Sequence, residues 1–182
     1  MFWFKARSRS FIIGVFGLAP SFFLNACKPE VKSNGLFDLK GYFMQDTARL
    51  NRSATTVFKT VTHNGVTESK KVRIGDWGKE LSLFIDADIN KAAWKNSYKV
   101  ISEDSLLVYR ARDKDLKVRE LIIKRDKQKV KYILIYNKTE NILYTTTQKL
   151  SYFPDSLYMI ETVQRVRLIG TNFYRIRGVI VK

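Results

Sequence analysis

Residues 55–74 read TTVFKTVTHNGVTESKKVRI, and this stretch decides which kind of fold the chain is expected to have. Before Asn64-Gly65, Val57 and Val61 fall on one side and threonines on the other, which is the period of two typical of a strand. An Asn-Gly pair favours a two-residue hairpin turn because both central positions need a positive φ. The stretch therefore predicts a β-hairpin with strands over residues 55–62 and 66–74.

Strand-like segments also dominate the chain after residue 98. They are separated by short breaks rich in Asp, Asn, Gly and Pro, which are turn residues. Connections this short make neighbouring strands antiparallel. The predicted strands cover residues 98–103, 106–112, 116–124, 130–136, 142–149, 158–169 and 173–181.

One strand shows a slip in its apolar pattern. Leu116 and Val118 have even numbers, whereas Leu121 and Ile123 have odd numbers. A β-bulge near residues 119–120 explains such a slip and would bend the sheet. The alternative is that this strand is buried on both faces.

Two helices are predicted before these strands. Residues 36–50 place an apolar stripe on one side, and Asp76 is a candidate N-cap for a second helix that ends near Asn90. The predicted buried residues are Leu36, Leu39, Phe43 and Leu50 in the first helix and Trp77, Leu81, Phe84 and Ile85 in the second. The fold class expected is α+β, with one or two N-terminal helices packed on a bent, mainly antiparallel sheet of about six to nine strands.

The amino-terminal segment has the layout of an export signal. Lys5, Arg7 and Arg9 precede an apolar run over residues 11–24. This run is shorter than the about 20 residues that a membrane span needs and is typical of a signal-peptide core. The basic end stays on the cytoplasmic side, so the chain after the run is expected to be exported.

The run ends in Leu24-Asn25-Ala26-Cys27, which resembles the lipobox of bacterial lipoproteins. Leu24, Ala26 and Cys27 match the pattern, and Asn25 departs from it because that position is usually small or apolar. The resemblance implies that Cys27 carries a diacylglycerol, that the chain is cut just before it and that the new amino terminus is acylated. It covers only about the first 27 residues, so it implies location and modification and leaves activity open.

This resemblance divides the chain into a cleaved signal peptide (1–26), a lipidated cysteine with a tether (27–35) and a single globular α+β domain (36–182). In enteric lipoproteins an aspartate directly after the cysteine favours the inner membrane. Lys28 stands there, so the expected location is the cell envelope, with the outer membrane favoured over the inner one. The alternatives are an ordinary secretory signal cut near Ala26 and an uncleaved amino-terminal anchor.

The chain is strongly basic, and its formal charge of +16 falls to +13 without the signal. In a cytoplasmic protein this charge would suggest nucleic acid, but export argues against that partner. The expected partners are the membrane, through the anchor, and an anionic lipid, an anionic glycan or an envelope protein. The densest basic stretch is 110–131; solvated faces and lysines that protect exposed strand edges are the alternative explanation.

The sequence offers few groups for catalysis or metal binding. His63 is the only histidine and lies beside the predicted turn, and Cys27, the only cysteine, would be acylated. Residues 86–90 (DADIN) open like a calcium loop, but Lys91 and Ser97 stand where that loop needs glycine and glutamate. No catalytic residue, metal site or cofactor is therefore predicted, and the protein is not expected to be an enzyme.

The function expected is that of a membrane-anchored envelope lipoprotein that binds a partner or an amphipathic or lipid ligand. The alternative is a structural or assembly component that docks on an envelope complex or the cell wall through a basic face. Periplasmic lipoprotein carriers also place a helix over a bent sheet, although this likeness is architectural only. A carrier needs a concave apolar pocket, whereas a docking component needs a filled core and an exposed patch.

Overall fold

Nine strands and three α-helices make up the part of the chain described by the computed structural model, residues 36–53, 55–94 and 96–181. Cys27 and the predicted signal peptide lie outside these residues. The helices are α1 (Leu39–Arg52), α2 (Trp77–Glu80) and α3 (Ser82–Ile85), followed by a 3₁₀ turn, Ala92–Trp94. The strands are β1 (Thr56–His63), β2 (Val66–Arg73), β3 (Tyr98–Glu103), β4 (Leu106–Ala111), β5 (Val118–Asp126), β6 (Lys129–Glu140), β7 (Tyr144–Phe153), β8 (Leu157–Val166) and β9 (Gly170–Val181).

The strands form one open sheet in the order β2-β1-β9-β8-β7-β6-β5-β4-β3. Every pair of neighbours in this order is antiparallel. Strands β3 to β9 follow one another as a meander, and the β1–β2 hairpin adds to it through β1 and β9. The antiparallel sheet and its strand number therefore agree with the prediction, and β2 and β3 are its two edges.

The β1–β2 hairpin has the turn that its sequence predicts. Asn64 has φ 48° and Gly65 has φ 92°, so both central residues occupy the left-handed region. Asn64 also accepts a hydrogen bond from the Phe173 backbone N–H through its side-chain oxygen at 2.8 Å. The turn is thus linked to β9 as well as closing its own hairpin.

Replacing Gly65 by alanine is expected to lower the free energy of unfolding by about 1 kcal/mol, because the left-handed conformation is less favourable for alanine than for glycine. Gly75 is the matched control, since a Cβ at either glycine meets open space and only Gly65 has a positive φ. Urea unfolding of Gly65→Ala and Gly75→Ala measures the difference. Equal losses in the two variants would contradict the conformational explanation.

The slip in the apolar pattern of β5 is a β-bulge. The pairing of β5 with β6 shifts register between Val118 and Glu120. Because of the shift, Val118 on one side of it and Leu121 and Ile123 on the other are all buried in the hydrophobic core. The extra residue restores a single core-facing side of the strand, as the predicted bulge requires.

Helix α1 covers Leu39–Arg52 and not the predicted residues 36–50, because Asp38 is its N-cap. The Asp38 carboxylate accepts a hydrogen bond from the Gly41 backbone N–H at 2.9 Å. A side chain at position 41 would overlap this carboxylate, so the glycine that weakens the helix also makes room for its cap. In residues 36–181, the helices all fall short of the length and hydropathy of a bilayer span.

The second predicted helix is broken, and its prediction as one continuous helix was wrong. Asp76 caps α2 through the Lys79 N–H at 3.1 Å, but the helix is interrupted at Leu81 and ends at Ile85. Ala87 and Ile89 are both buried in the core. Residues two apart on a helix point in nearly opposite directions, so a helix continuing to Asn90 could not bury both.

Apart from Val108, the buried side chains of the strands share one side of the sheet, which we call the inner face. Aromatic contacts join it to the helical segments: the rings of Phe43 and Tyr152 lie 5.0 Å apart, and those of Trp77 and Tyr158 lie 6.0 Å apart. All these residues belong to one hydrophobic cluster. The cluster runs from Leu36 to Ile160, so residues 36–181 contain a hydrophobic core of their own.

Three fully buried tyrosines on the inner face reach the residues that precede β3. The Tyr152 hydroxyl donates to Asp46 in α1, and the Tyr158 hydroxyl donates to Glu80 in α2. The Tyr109 hydroxyl accepts from the backbone N–H of Phe37 at 2.9 Å. Burial raises the pKa of all three phenols, so each hydroxyl keeps its proton.

The first described residues of the chain lie near one of the two ends of the sheet. The proximal end carries the β5–β6 and β7–β8 turns, and Phe37 lies there under the Arg125 guanidinium at 5.0 Å. The distal end carries the β1–β2, β6–β7 and β8–β9 turns. The chain before residue 36 therefore joins the domain near the proximal end.

Candidate functional site

The side of the sheet opposite the inner face, the outer face, carries two apolar rows that run across the strands. Side chains alternate along each strand and directly opposed residues share a face, so the pairing register defines each row. The first row is Ile101, Val108, Ile122, Leu134, Ser151 and Met159. The second row contains Leu106, Lys124, Tyr132, Phe153, Leu157, Val179 and Phe58, so one cation interrupts its apolar side chains.

A charged row borders the first apolar row on its distal side. It contains side chains of both positive and negative charge. Two ion pairs lie within it: Arg110 Nε is 2.7 Å from Glu120, and Arg175 Nη2 is 2.7 Å from Glu161. Lys149 lies between them in register. The outer face therefore combines an apolar centre with a rim of mixed charge.

A depression of about 300 Å³ lies where the charged row meets the first apolar row. Ile122 and Leu134 supply apolar lining, and Glu120 and Lys149 contribute opposite charges. Ser151 is the small member of the first row and sits directly opposite Leu134, which leaves room for the depression. The depression can receive an apolar side chain of a binding partner, together with a polar group beside it.

The basic stretch over residues 110–131 does not form one patch. It spans the β4–β5 loop, strand β5 and the β5–β6 turn, so its cations are divided between the two ends of the sheet. Several are also paired: Arg110 with Glu120, and Lys131 with Asp126 at 3.2 Å. A run that is continuous in sequence is thus separated in space by an antiparallel hairpin.

An open cleft of about 740 Å³ lies at the proximal end, between α1 and the β5–β6 and β7–β8 turns. Arg49 is held there by Asp46 at 2.5 Å and by Asp155 at 2.7 Å. Arg125, Lys127 and Lys129 line the same cleft. The lining of the cleft thus has four cations and three carboxylates, an excess of one positive charge where the chain enters the domain.

Residues that could have supported catalysis or metal binding occupy unpromising places. The His63 ring stacks on Tyr174 with centroids 4.1 Å apart, on the exposed surface at the distal end. Asp86 is exposed, and burial raises the pKa of the half-buried Asp88. Within residues 36–53, 55–94 and 96–181, no cluster of three or more His, Cys, Asp or Glu side chains could hold a metal ion.

Among the acids that form ion pairs, the two with the least exposed side chains stabilise the fold. Asp46 accepts from Tyr152 and pairs with Arg49, and Glu80 accepts from Tyr158 and pairs with Lys59 at 2.7 Å. Each carboxylate joins a helix to the sheet. These hydrogen bonds give both acids a structural role.

Comparison of the chain with protein-family models, with curated proteins and with solved structures gives no significant match.

Sequence patterns did not reveal the outer face, because its apolar residues are indistinguishable from core residues until the register is known. Even- and odd-numbered residues of β6 are both apolar from Tyr132 onward, which was the sign in the sequence that both faces of this strand carry apolar side chains. Ile133 and Ile135 belong to the core, whereas Tyr132 and Leu134 belong to the outer face. Only the pairing of strands shows that the second set continues across the sheet.

Proposed function

We propose that the protein is a membrane-anchored envelope lipoprotein of non-enzymatic type, and that it binds a partner protein through the outer face of its sheet. The anchor is Cys27, as the lipobox resemblance implies. The observation that carries the binding role is the pair of apolar rows across the outer face. The first row continues across strands β3 to β8 without a charged side chain, and extended apolar surfaces mark interaction sites.

The division between inner and outer face favours a partner over an enclosed ligand. Phe43, Trp77 and Phe84 from the helical segments belong to the same buried cluster as the inner-face residues. We infer that the helices cover this face and that the sheet bends around them. A ligand carried inside the bend would compete with these side chains, whereas a partner on the outer face would not.

The charges around the outer face favour a protein partner over a lipid surface. Arg110, Glu120, Lys149 and Glu161 place both signs along one border of the apolar rows. Protein interfaces have an apolar centre and a polar rim of this kind. A surface built for an anionic membrane would instead carry one sign of charge.

Replacing Leu134 by glutamate is expected to weaken partner binding by about thirtyfold, because central apolar contacts contribute most of the affinity of an interface. The affinity-tagged full chain, expressed in its native envelope and extracted in mild detergent, should retain a stoichiometric partner protein. The Leu134→Glu variant should lose it at equal expression.

Val66→Glu provides the matched control, since Val66 is an exposed aliphatic residue on the edge strand β2, outside the apolar rows. It should retain the partner. Native mass spectrometry of the same samples detects a bound lipid: an adduct of lipid mass without a partner protein would favour a ligand-binding role. Equal retention by Leu134→Glu and wild type would refute docking through the outer face.

The proximal end supports the second candidate, docking of the basic surface on an anionic envelope component. Arg125, Lys127 and Lys129 lie near the point where the tether joins the domain. A lipid-anchored chain would hold this end near headgroups, where each cation contributes about 1 kcal/mol at most. This contact would orient the domain on its membrane and leave the outer face accessible.

A further inference from the structure

Two neighbouring turns at the distal end expose four large aliphatic side chains. Ile142 is 84% exposed, Leu143 is 68% exposed, Ile169 is 80% exposed and Leu168 is fully exposed. Ile142 and Leu143 belong to the β6–β7 turn, and Leu168 and Ile169 belong to the β8–β9 turn. We call these four residues the distal tip.

The two turns are held together, so their side chains form one surface feature. Strands β7 and β8 pair up to Tyr144 and Val166, directly before the turns. Beyond this pair, the Arg167 backbone N–H donates to the Leu143 carbonyl at 2.9 Å. The distal tip is therefore a single apolar projection supported by the end of the sheet.

Leucine at position 168 is costly for the fold. Its φ is 76°, in the left-handed region that glycine and asparagine adopt far more readily than leucine. The residue gains no burial in return, because its side chain is fully exposed. A strained backbone that presents an apolar side chain to solvent points to a binding role.

The distal tip has a collar of positive charge. Arg165 and Arg167 flank the two turns and line an open groove of about 350 Å³ beside Ile142 and Leu143. Arg165 also lines a neighbouring depression of about 440 Å³ together with Lys138 and Glu140. Lys138 and Glu140 pair at 2.6 Å, so the two arginines determine the sign of the collar.

We propose that the distal tip inserts into the surface of an anionic phospholipid bilayer. The four aliphatic side chains would enter the boundary between headgroups and acyl chains, and Arg165 and Arg167 would contact the phosphates. A projecting apolar tip with a collar of one sign matches a bilayer. The outer face with its mixed charges matches a protein.

This contact is separate from the anchor and from the outer face. The tip lies at the end of the sheet opposite Phe37, where the chain enters the domain. Strand β6 connects the two ends and has 12 residues, so the separation is about 40 Å. Binding by the tip can therefore be measured on the segment 28–182, which lacks the lipidated cysteine.

Flotation with vesicles of phosphatidylethanolamine and phosphatidylglycerol tests the proposal, with phosphatidylcholine vesicles as the neutral comparison. The segment 28–182 should float with the anionic vesicles. Leu168→Asn should lower the vesicle partition coefficient by about tenfold, the effect of removing one inserted aliphatic side chain. Asparagine suits the positive φ at 168, so thermal unfolding of this variant should show no loss of stability.

Met44→Asn is the matched control, because Met44 is an exposed apolar residue on α1, outside the distal tip. It should float like the wild type. Arg165→Gln with Arg167→Gln should weaken binding to anionic vesicles and leave the weak neutral binding unchanged. Absence of flotation by the folded segment, or equal flotation of Leu168→Asn and wild type, would overturn the proposal.

A further variant separates this result from docking through the basic proximal end. If Lys127→Gln with Lys129→Gln abolishes flotation while Leu168→Asn has no effect, the bilayer meets the proximal end and the distal tip is not inserted. Since the test uses neither Cys27 nor the outer face, any of its outcomes leaves the proposed partner binding to be judged by its own experiment.

Discussion

Replacing Cys27 by alanine is expected to abolish labelling of the protein by a palmitate analogue supplied to growing cells. The thiol is where the lipobox resemblance attaches the diacylglycerol, the amino terminus is acylated afterwards, and Cys27 is the only cysteine of the chain. Without the thiol, neither the diacylglycerol nor the acylated amino terminus can form. One acyl chain alone binds a membrane marginally, with an association constant of about 10⁴ M⁻¹, so the full set of chains is needed for stable anchoring.

Asn25→Ala is the control for this experiment, because the variable position of the lipobox tolerates a small residue. It should keep the label. The mass of the purified wild-type protein separates the alternatives: a secretory signal cut near Ala26 gives an unlabelled soluble chain, and an uncleaved anchor gives an unlabelled chain of full length. Either outcome would refute the lipoprotein assignment and leave the fold unaffected.

Replacing Gly178 by alanine is expected to lower the free energy of unfolding by about 3 kcal/mol, at the upper end of the usual cost of overpacking a core. Gly178 is directly opposite Tyr158 on β8 and Lys59 on β1. A Cβ at this position would overlap the Tyr158 ring. Thermal unfolding should show a decrease of about 10 °C in Tm.

The ring occupies this place because its hydroxyl has a partner beyond the glycine. Tyr158 donates to Glu80, and Lys59 pairs with the same carboxylate at 2.7 Å. The absent side chain at 178 therefore lets β8 and β1 share one acid of α2. Glycine is needed here for space, whereas Gly65 is needed for its backbone conformation.

A double-mutant cycle tests this explanation. In a Tyr158→Leu background, Gly178→Ala should cost much less than in the wild type, because the overlapping ring is gone. An equal cost in both backgrounds would show that the loss comes from the conformation of β9 and not from Tyr158.

Local sequence determined the elements whose signals involve adjacent residues. Asn64-Gly65 predicts its turn because two consecutive positive φ values exclude most other residues. Asp38 and Asp76 start helices because their carboxylates reach backbone N–H groups three residues ahead. The bulge near Val118 was predictable for a similar reason, since a change of parity within one strand needs an extra residue.

Strand ends were less predictable where apolar residues lie in turns. Ile142 and Ile169 were predicted to lie in strands, whereas they belong to the β6–β7 and β8–β9 turns. Periodicity treats an apolar residue as one that will be buried, whereas the distal tip exposes both of these side chains together with Leu143 and Leu168. The distal tip, which we propose contacts a bilayer, was therefore hidden in the strand predictions.

The sequence by itself determined an antiparallel sheet protein with a first helix, a basic character and a lipobox-like segment, because each depends on composition or on neighbouring residues. Only the tertiary structure decided that β1 pairs with β9, that Tyr158 lies over Gly178 and that residues 110–131 are divided between two ends. It also decided which apolar residues of β5 to β8 form the core and which form the outer face. These properties depend on pairing between residues distant in sequence, and many registers satisfy the same local pattern until one buries a complete inner face.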